Sequence, residues 1–220
     1  MDQSAAGYQT AKISAKETNS DLLYEKNTVV EIRLSLPFFS ATGDRRAEKS
    51  LNRFYDFVTR ALLRYGKSSL YNQAVARYKE NVASGVPFRP SALRVSFFAS
   101  HDGLNLLSVV LDRYEYDGGA NGFTVRTAVN WHMPEGSPVM RLFPRGANRH
   151  VLRECTAIAR EQQRAGTHVY FEGLTKNMRR YFQAEQSYVT PEGLTVFYQE
   201  VTISPHAEGT PAFTLTKPTR

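Results

Sequence analysis

The sequence predicts an α+β fold, with antiparallel sheets and helices packed on one face, in two closely packed subdomains. Three observations predict it. Runs with an apolar residue at every second position alternate with runs of helical periodicity, glycine-rich turns separate neighbouring strands, and helices are followed by strands in both halves of the chain. With 220 residues, of which 41% are hydrophobic and 22% charged, the chain is long enough to bury such a core.

The first subdomain is predicted at residues 22–132, behind a flexible polar lead-in at residues 1–21. Between Val30 and Leu36 apolar residues alternate with polar ones, which indicates a strand with one buried face. Pro37 either ends this strand or places it at a sheet edge, because proline donates no hydrogen bond to a neighbour. We expect a short polar turn to join this strand to a preceding one.

A long helix is predicted after Asp44, which is placed to cap its N-terminus. Six residues recur at helical spacing and form one apolar stripe: Leu51, Phe54, Tyr55, Val58, Leu62 and Tyr65. Gly66 is expected to kink or break the helix, and helical spacing then continues to Gly85. Three strands of an antiparallel meander follow, at residues 92–100, 104–116 and 122–132.

The second subdomain is predicted at residues 133–215 and has the same organisation on a smaller scale. Its expected elements are helices near 147–165 and 173–182 and strands at 187–190, 193–203 and 212–216. No linker rich in glycine, proline or serine separates the two halves, so we expect them to pack tightly or to share a sheet.

Cysteine content and hydropathy limit the class of protein. The single cysteine, Cys155, excludes an intramolecular disulfide and falls on the apolar side of a predicted helix, which indicates a buried, inert thiol. No run approaches the roughly 18 apolar residues of a membrane span, and the first residues lack the apolar centre of a signal peptide. The chain as it stands is expected to be soluble and cytoplasmic, or extracytoplasmic if a leader or anchor has been removed.

A double glycine between two strands predicts a shaped hairpin loop, because glycine permits positive φ and close backbone approach. The residues that this loop would present to a ligand are Tyr114, Tyr116, Gly118, Gly119, Asn121 and Gly122. The alternative is that the glycines only close a hairpin that contains a bulge.

A second candidate loop runs from Pro205 to Pro211, where two prolines limit the freedom of a turn between strands. Its polar tips are His206 and Glu208, followed by Gly209. Such loops often carry binding residues, and the alternative is an ordinary connection between the last two strands.

A row of arginines is the sharpest electrostatic feature. Arg149, Arg153, Arg160 and Arg164 fall within an arc of about 60° on the helix predicted at 147–165. Residues 141–180 contain nine Arg or Lys against three Glu, which accounts for most of the net charge of +7. Guanidinium groups in a row bind phosphate or carboxylate polymers, whereas the alternative is a solvated helix face. No recognised motif for nucleic acid accompanies the row, which disfavours that partner.

Catalytic motifs are absent from the sequence. The five histidines are scattered, with no metal-binding spacing, and the glycine signatures of serine hydrolases, phosphate loops and dinucleotide sites are missing. We therefore expect no cofactor, no metal and no catalytic residue. Two routes to a hydrolase site remain open: a Cys155–His dyad, which the expected burial of Cys155 disfavours, and a carboxylate pair assembled by tertiary contact, such as Asp112 with Glu115.

Two blocks of sequence resemble a known family. The first is Tyr114-Glu-Tyr-Asp-Gly-Gly-Ala120, and the second combines Thr190-Pro-Glu-Gly-Leu194 with Pro205-His-Ala-Glu-Gly-Thr-Pro211. In this order they are similar to the paired domains of RsiV anti-sigma factors and of PdaC-type peptidoglycan deacetylases, where they precede the catalytic domain. The resemblance implies an α+β fold without catalytic activity of its own and, in RsiV, binding of lysozyme. Asn121 stands where this family usually has histidine.

The sequence thus predicts a non-catalytic bacterial binding or sensing module of the RsiV/PdaC type, with a lysozyme-like protein or an anionic cell-wall polymer as partner. Lysozymes of that system are basic, so a chain of charge +7 would be repelled at long range, which favours the polymer. The alternatives are an accessory to a wall hydrolase or deacetylase, a hydrolase with an unrecognised site, and a structural protein that oligomerises through exposed aromatic residues.

Overall fold

The computed structural model describes residues 12–40, 44–101, 105–133 and 135–216. Within these residues the strands form one six-stranded and one three-stranded sheet. The strands of the first sheet are β1 (Lys12–Tyr24), β2 (Asn27–Ser40), β3 (Ser91–His101), β4 (Leu106–Tyr116), β5 (Phe123–His132) and β6 (Ser137–Val139), and they lie side by side in that order. Only β2 and β3 run parallel, as a helical crossover requires. The predicted α+β architecture is confirmed.

The prediction of a flexible lead-in is wrong for residues 12–21, which form most of β1. This strand pairs with β2 along its whole length, from Lys12 opposite Ser40 to Tyr24 opposite Asn27. Glu25 and Lys26 close the hairpin with positive φ angles of 49° and 69°. Most side chains of β1 are solvent-exposed, so its polar sequence carries no apolar period. Backbone pairing with β2 orders it, together with ion pairs such as Lys16–Asp56 (2.8 Å) and the packing of Ile13 and Leu22 against the main core. Residues 1–11 of the predicted lead-in lie outside the described residues.

Pro37 lies within β2, at a sheet edge, and does not end the strand. It is opposite Ala15 of β1. On its other side, β2 pairs with β3 only between Val30 and Leu34. No neighbour there requires an N–H group from residue 37, which is why the strand tolerates a proline.

The crossover consists of α1 (Arg45–Tyr65), a π-helical turn (Gly66–Leu70) and α2 (Tyr71–Ser84). Asp44 caps α1, because its Oδ1 accepts a hydrogen bond of 2.6 Å from the backbone N–H of Arg46. Gly66 does not break the helix, which continues through the π turn. A Cβ at Gly66 would lie 2.5 Å from Ile32 Cδ1, so the absence of a side chain lets the helix lie directly on β2.

The main core lies between this helical layer and the first sheet. The apolar stripe of α1 packs there, with Leu51 and Tyr55 fully enclosed, as the helical spacing predicted. Trp131 of β5 donates a hydrogen bond of 3.0 Å from Nε1 to the hydroxyl of Tyr55, so the two largest buried side chains satisfy each other's polar atoms.

The second unit contains α3 (Asn148–Arg164), α4 (Leu174–Tyr181) and a sheet of β7 (Ser187–Val189), β8 (Gly193–Phe197) and β9 (Ala212–Thr216). Its core encloses Cys155, which is fully buried as predicted. The predicted strand at 193–203 is wrong beyond Phe197. The chain turns at Val201, whose φ of 61° is incompatible with an extended strand.

The two units pack through the face of the first sheet opposite its helices. The Ser108 hydroxyl donates to Asn130 Oδ1 (2.6 Å) and accepts from the backbone N–H of Val189 (2.8 Å). Asn130 Nδ2 in turn donates to the carbonyl of Ser187 (3.0 Å). Buried side chains of β4 and β5 thus bond the backbone of β7. The first sheet also continues through β6, which lies beyond residue 132, the end predicted for the first subdomain.

Candidate functional site

The double-glycine loop connects β4 to β5 and is fixed by its own contacts. Gly118 has a φ of 95°, and a Cβ there would lie 2.4 Å from the guanidinium carbon of Arg77 on α2. The backbone N–H of Gly119 donates to Asp117 Oδ1 (2.9 Å), and its carbonyl accepts from the Tyr116 hydroxyl (2.9 Å). Tyr116 is therefore engaged in shaping the loop.

The far side of this loop depends on Tyr114. A Cβ at Gly122 would lie 2.4 Å from the Tyr114 ring, which covers this buried glycine. The ring borders an open polar cleft of about 420 Å³ on the first sheet, together with Arg94 and Asp112. Asn121, between the two fixed ends, is solvent-exposed. Local structure thus explains Gly118 and Gly122, while Asn121 is free to contact a partner.

The Pro205–Pro211 loop directs its two polar tips to different neighbours. His206 Nδ1 lies 2.8 Å from Glu200 Oε1. Glu208 lies 2.9 Å from His168 Nδ1 and accepts the backbone N–H of Val169 at 3.0 Å. The hydrogen bond from His168, and then that from Val169, lowers the pKa of Glu208. Glu208 is thus held by the loop that follows α3.

Two further loop positions are structural. Gly209 has a φ of 65° with open space around it, and the Pro211 carbonyl accepts the backbone N–H of Tyr198 at 2.8 Å. The loop also contains a 3-10 turn, His206–Glu208, which begins directly after Pro205. These contacts fix the loop beside β8. His206 is its residue directed towards the first unit, because it contacts Glu200, which in turn bonds Thr124.

Glu200 links the Pro205–Pro211 loop to the start of β5, which follows the double-glycine loop. Its Oε2 accepts a hydrogen bond of 2.5 Å from the backbone N–H of Thr124, two residues after Gly122, while its Oε1 contacts His206. Beside it, Gln199 donates to the carbonyl of Arg126 (2.7 Å) and accepts its N–H (3.0 Å). Two side chains therefore cover the free edge of β5, where a neighbouring strand would otherwise bond.

Two exposed apolar residues adjoin this contact. Phe123 precedes Thr124 and is 48% exposed, and Val201 follows Glu200 and is 53% exposed. Val201 also has a φ of 61°, a costly conformation for a β-branched residue. We call the Gly118–Gly122 loop, the Pro205–Pro211 loop, Glu200, Phe123 and Val201 together the loop surface.

Sequence reasoning missed Glu200, Val201 and Phe123. Glu200 and Val201 lie inside the strand predicted at 193–203, and Phe123 lies inside the strand predicted at 122–132. The available signal was the polar pair Gln199-Glu200, which breaks the apolar alternation that precedes it.

Three of the four predicted anion-binding arginines line a groove between α3 and α4. Arg149, Arg153 and Arg160 border this open space of about 710 Å³, and Arg179 of α4, which sequence reasoning missed, joins them. Arg164 lies outside it and pairs with Glu161 at 3.2 Å. We call this feature the arginine groove.

Groups with catalytic potential are few. Within the described ranges, no three His, Cys, Asp or Glu side chains are grouped so that they could hold a metal ion. Burial raises the pKa of the Cys155 thiol to about 12. The hydroxyl of Tyr170, whose pKa burial raises to about 12, lines a cavity of only about 90 Å³ beside His168 and Glu208.

None of the helices in the described part of the chain is both long and apolar enough to cross a membrane. The longest, α1, carries charged residues along its exposed side.

Comparison with solved structures shows the same fold in two other proteins. A DUF3298 family protein from Bacteroides fragilis superimposes with a TM-score of 0.69 at 16% sequence identity, covering 96% of this chain and 92% of that one. A DUF3298 family protein from Pseudomonas aeruginosa gives a TM-score of 0.58 at 16% identity, covering 94% of this chain and 90% of that one. Among curated proteins, none matches this chain in sequence.

Two family models match in sequence. The model described as deacetylase PdaC matches residues 23–124, which include the double-glycine loop. The model described as a protein of unknown function, DUF3298, matches residues 155–217, which include the Pro205–Pro211 loop. The resemblance to PdaC-type paired domains is thereby confirmed. The two models match successive parts of the chain, which supports its membership of a PdaC-like/DUF3298 paired-domain family.

Proposed function

We propose that this chain is a non-catalytic binding module that captures a lysozyme-like protein on the loop surface. The observation that carries the proposal is the Glu200 carboxylate, which links the Pro205–Pro211 loop, through His206, to Thr124 of β5, two residues beyond the double-glycine loop. Rigid loops bind with a smaller entropy cost than mobile ones, so such a scaffold favours recognition.

The composition of the loop surface supports a protein partner. Exposed apolar side chains surrounded by polar groups are the usual arrangement of a protein interface. Phe123 and Val201 supply the apolar part, and Asn121 and Asp117 are exposed polar residues of the neighbouring loop. The strained φ of Val201 is consistent with a binding role, because such strain persists where the surroundings impose it.

The charge distribution also suits a basic partner better than the net charge alone suggests. Residues 112–117 carry three carboxylates and one arginine, whereas the excess of arginine and lysine lies within residues 141–180. Within residues 112–117 the Asp112 carboxylate pairs with Arg126 at 2.6 Å, so the acidic charge beside the double-glycine loop comes from Glu115 and the exposed Asp117. Long-range repulsion from the whole chain would slow association with a basic protein, and salt would relieve it.

The proposal that the module is non-catalytic is supported by the state of its reactive groups. The Glu208 carboxylate already accepts hydrogen bonds from two partners, and the Cys155 thiol is buried with a raised pKa. A hydrolase or deacetylase accessory of the same fold would use the same loop surface for its partner.

The test is titration calorimetry of the purified chain with lysozyme. The double variant Phe123→Ser/Val201→Ser should bind at least about tenfold more weakly, because it removes the apolar centre of the interface. The matched control is Phe57→Ser/Val82→Ser, which removes the same residue types at positions that are 63% and 62% exposed, far from these loops in the chain. Wild-type protein that fails to bind lysozyme, or equal binding by all three proteins, would refute the proposal.

A further inference from the structure

We propose that the arginine groove is a separate binding site for a linear polyanion that carries repeated phosphate or carboxylate groups. The site lies in the second unit and uses none of the residues of the loop surface. A test of this site is therefore independent of the test of the proposed function.

The groove is built by two helices that face each other. Three arginines come from α3 and Arg179 comes from α4, so cationic groups border the space on both sides. Arg160 is held in position, because its Nη2 donates a hydrogen bond of 2.8 Å to the Thr175 hydroxyl of α4. Leu152 and Phe182 supply an apolar lining. A guanidinium group beside apolar surface is less hydrated, which strengthens its pairing with an anion.

Most of these arginines lack acidic partners. Among the described residues, Arg149, Arg160 and Arg179 form no ion pair with a carboxylate, whereas Arg153 pairs with Glu154 at 3.3 Å and lies 2.9 Å from His150 Nδ1. A concentration of positive charge that the protein leaves unpaired attracts an anion from outside. The second unit thus offers charge complementarity to an anionic ligand.

The spacing of the arginines selects a polymer over a single small anion. Arg149 and Arg160 are eleven positions apart on α3, which corresponds to about 16 Å along the helix axis. A lone phosphate or carboxylate reaches one or two of these groups. A linear polymer with an anionic group on each monomer contacts several arginines at once, and each contact releases a counterion.

A second basic surface provides the matched control. Arg46, Lys49 and Arg53 lie on the exposed side of α1, around Phe57. This surface belongs to one helix only, so it presents cations without an opposing wall. Replacing three of its cations changes the net charge by the same amount as replacing three in the groove.

The experiment measures fluorescence anisotropy of labelled inorganic polyphosphate and labelled polyglutamate with the full chain, from about 0.05 M to about 0.5 M salt. The groove variant is Arg153→Gln/Arg160→Gln/Arg179→Gln, and the control is Arg46→Gln/Lys49→Gln/Arg53→Gln. We expect the groove variant to bind at least about tenfold more weakly and to lose about two to three from the slope of log affinity against log salt. The control should lose less than about one from this slope.

Far-UV circular dichroism establishes whether both variants are folded. Arg149→Gln is a milder variant of the groove, because the Arg149 side chain forms no hydrogen bond or ion pair with another described residue. Binding of either polymer with the expected contrast supports the site, and the preferred polymer identifies phosphate or carboxylate as the bound group. Equal loss in groove and control variants, or no saturable binding to the wild type at the lowest salt, would overturn the proposal.

Discussion

Glu200 of the second unit and Thr124 of the first are joined by a hydrogen bond, two residues beyond the double-glycine loop. The carboxylate of Glu200, whose side chain is 8% exposed, accepts the backbone N–H of Thr124 at 2.5 Å. These two residues are 76 positions apart, so the contact exists only in the folded protein. It satisfies an edge N–H group of β5 and fixes the position of His206 on the other oxygen. One side chain therefore serves both stability and the geometry of the loop surface.

Glu200→Ala is expected to reduce the free energy of unfolding by about 1–3 kcal/mol, because it leaves the Thr124 N–H and His206 without their partner. The measurement is urea denaturation followed by circular dichroism. Glu172→Ala is the matched control, since this exposed glutamate has no side-chain contact within the described residues, and it should change stability by less than about 0.5 kcal/mol. Equal values for the two variants would show that the bridge contributes nothing.

Gly118→Ala is expected to destabilise the protein by about 1–3 kcal/mol. The added Cβ would be strained at a φ of 95° and would also displace the guanidinium of Arg77. Gly146→Ala is the control, because that position has no positive φ and no atom within 4 Å of the added Cβ. Thermal unfolding measures both. If Gly118→Ala unfolds like the control, the double glycine has a role other than loop geometry.

Much of the first unit could be predicted because the spacing of its apolar residues indicates which side chains are buried. Leu51 and Tyr55 recur at helical spacing and enter the core, and Val30 to Leu36 alternate as a strand buried on one face. β1 could not be predicted this way. Its order comes mainly from backbone pairing with β2, and the few side chains that reach the core, such as Ile13 and Leu22, form no period among the mostly exposed ones.

The candidate site was predictable only in part, for a related reason. Turn chemistry identified both loops, since glycine and proline constrain the backbone locally. The contact between Glu200 and Thr124 could not be predicted, because a pattern among neighbouring residues cannot relate two residues that are 76 positions apart. The same limit applies to the groove: helical spacing aligned Arg149, Arg153 and Arg160, but only the tertiary position of α4 adds Arg179.

Ser108→Ala is expected to cost about 1–3 kcal/mol, because it leaves the Val189 N–H and Asn130 Oδ1 buried without this partner. Ser96→Ala is a matched control from β3, on the same face of the sheet, where the serine is exposed and its hydroxyl bonds no described residue. Denaturant titration compares the two. A cost for Ser108→Ala no larger than that for Ser96→Ala would mean that water replaces the lost bonds between the units.

Glu208 should make stability depend on pH. Its pKa is lowered in the folded state by the hydrogen bonds from His168 and Val169, so it stabilises the fold above its unfolded pKa of about 4.3. This contribution is lost as pH falls through the folded pKa. Glu208→Gln should therefore be less stable than wild type near neutral pH, and the difference should shrink as pH falls through the lowered pKa of the folded state. Glu80→Gln, an exposed control, should show no such trend. A difference that stays constant with pH would contradict the assignment.

Val201→Gly should separate stability from binding at the loop surface. The left-handed backbone at a φ of 61° destabilises the folded state by about 1–2 kcal/mol with valine, and glycine avoids this strain. Glycine also gives the unfolded chain more conformational freedom, which offsets about 0.5–1 kcal/mol of that gain. The net expectation is a gain of about 0.5–1 kcal/mol in the free energy of unfolding. Affinity for lysozyme should fall at the same time, because an exposed apolar side chain is lost from the interface. Denaturation and calorimetry on one preparation measure both quantities. A variant that is less stable than wild type would show that the Val201 side chain packs within the turn, and would remove it from the binding surface.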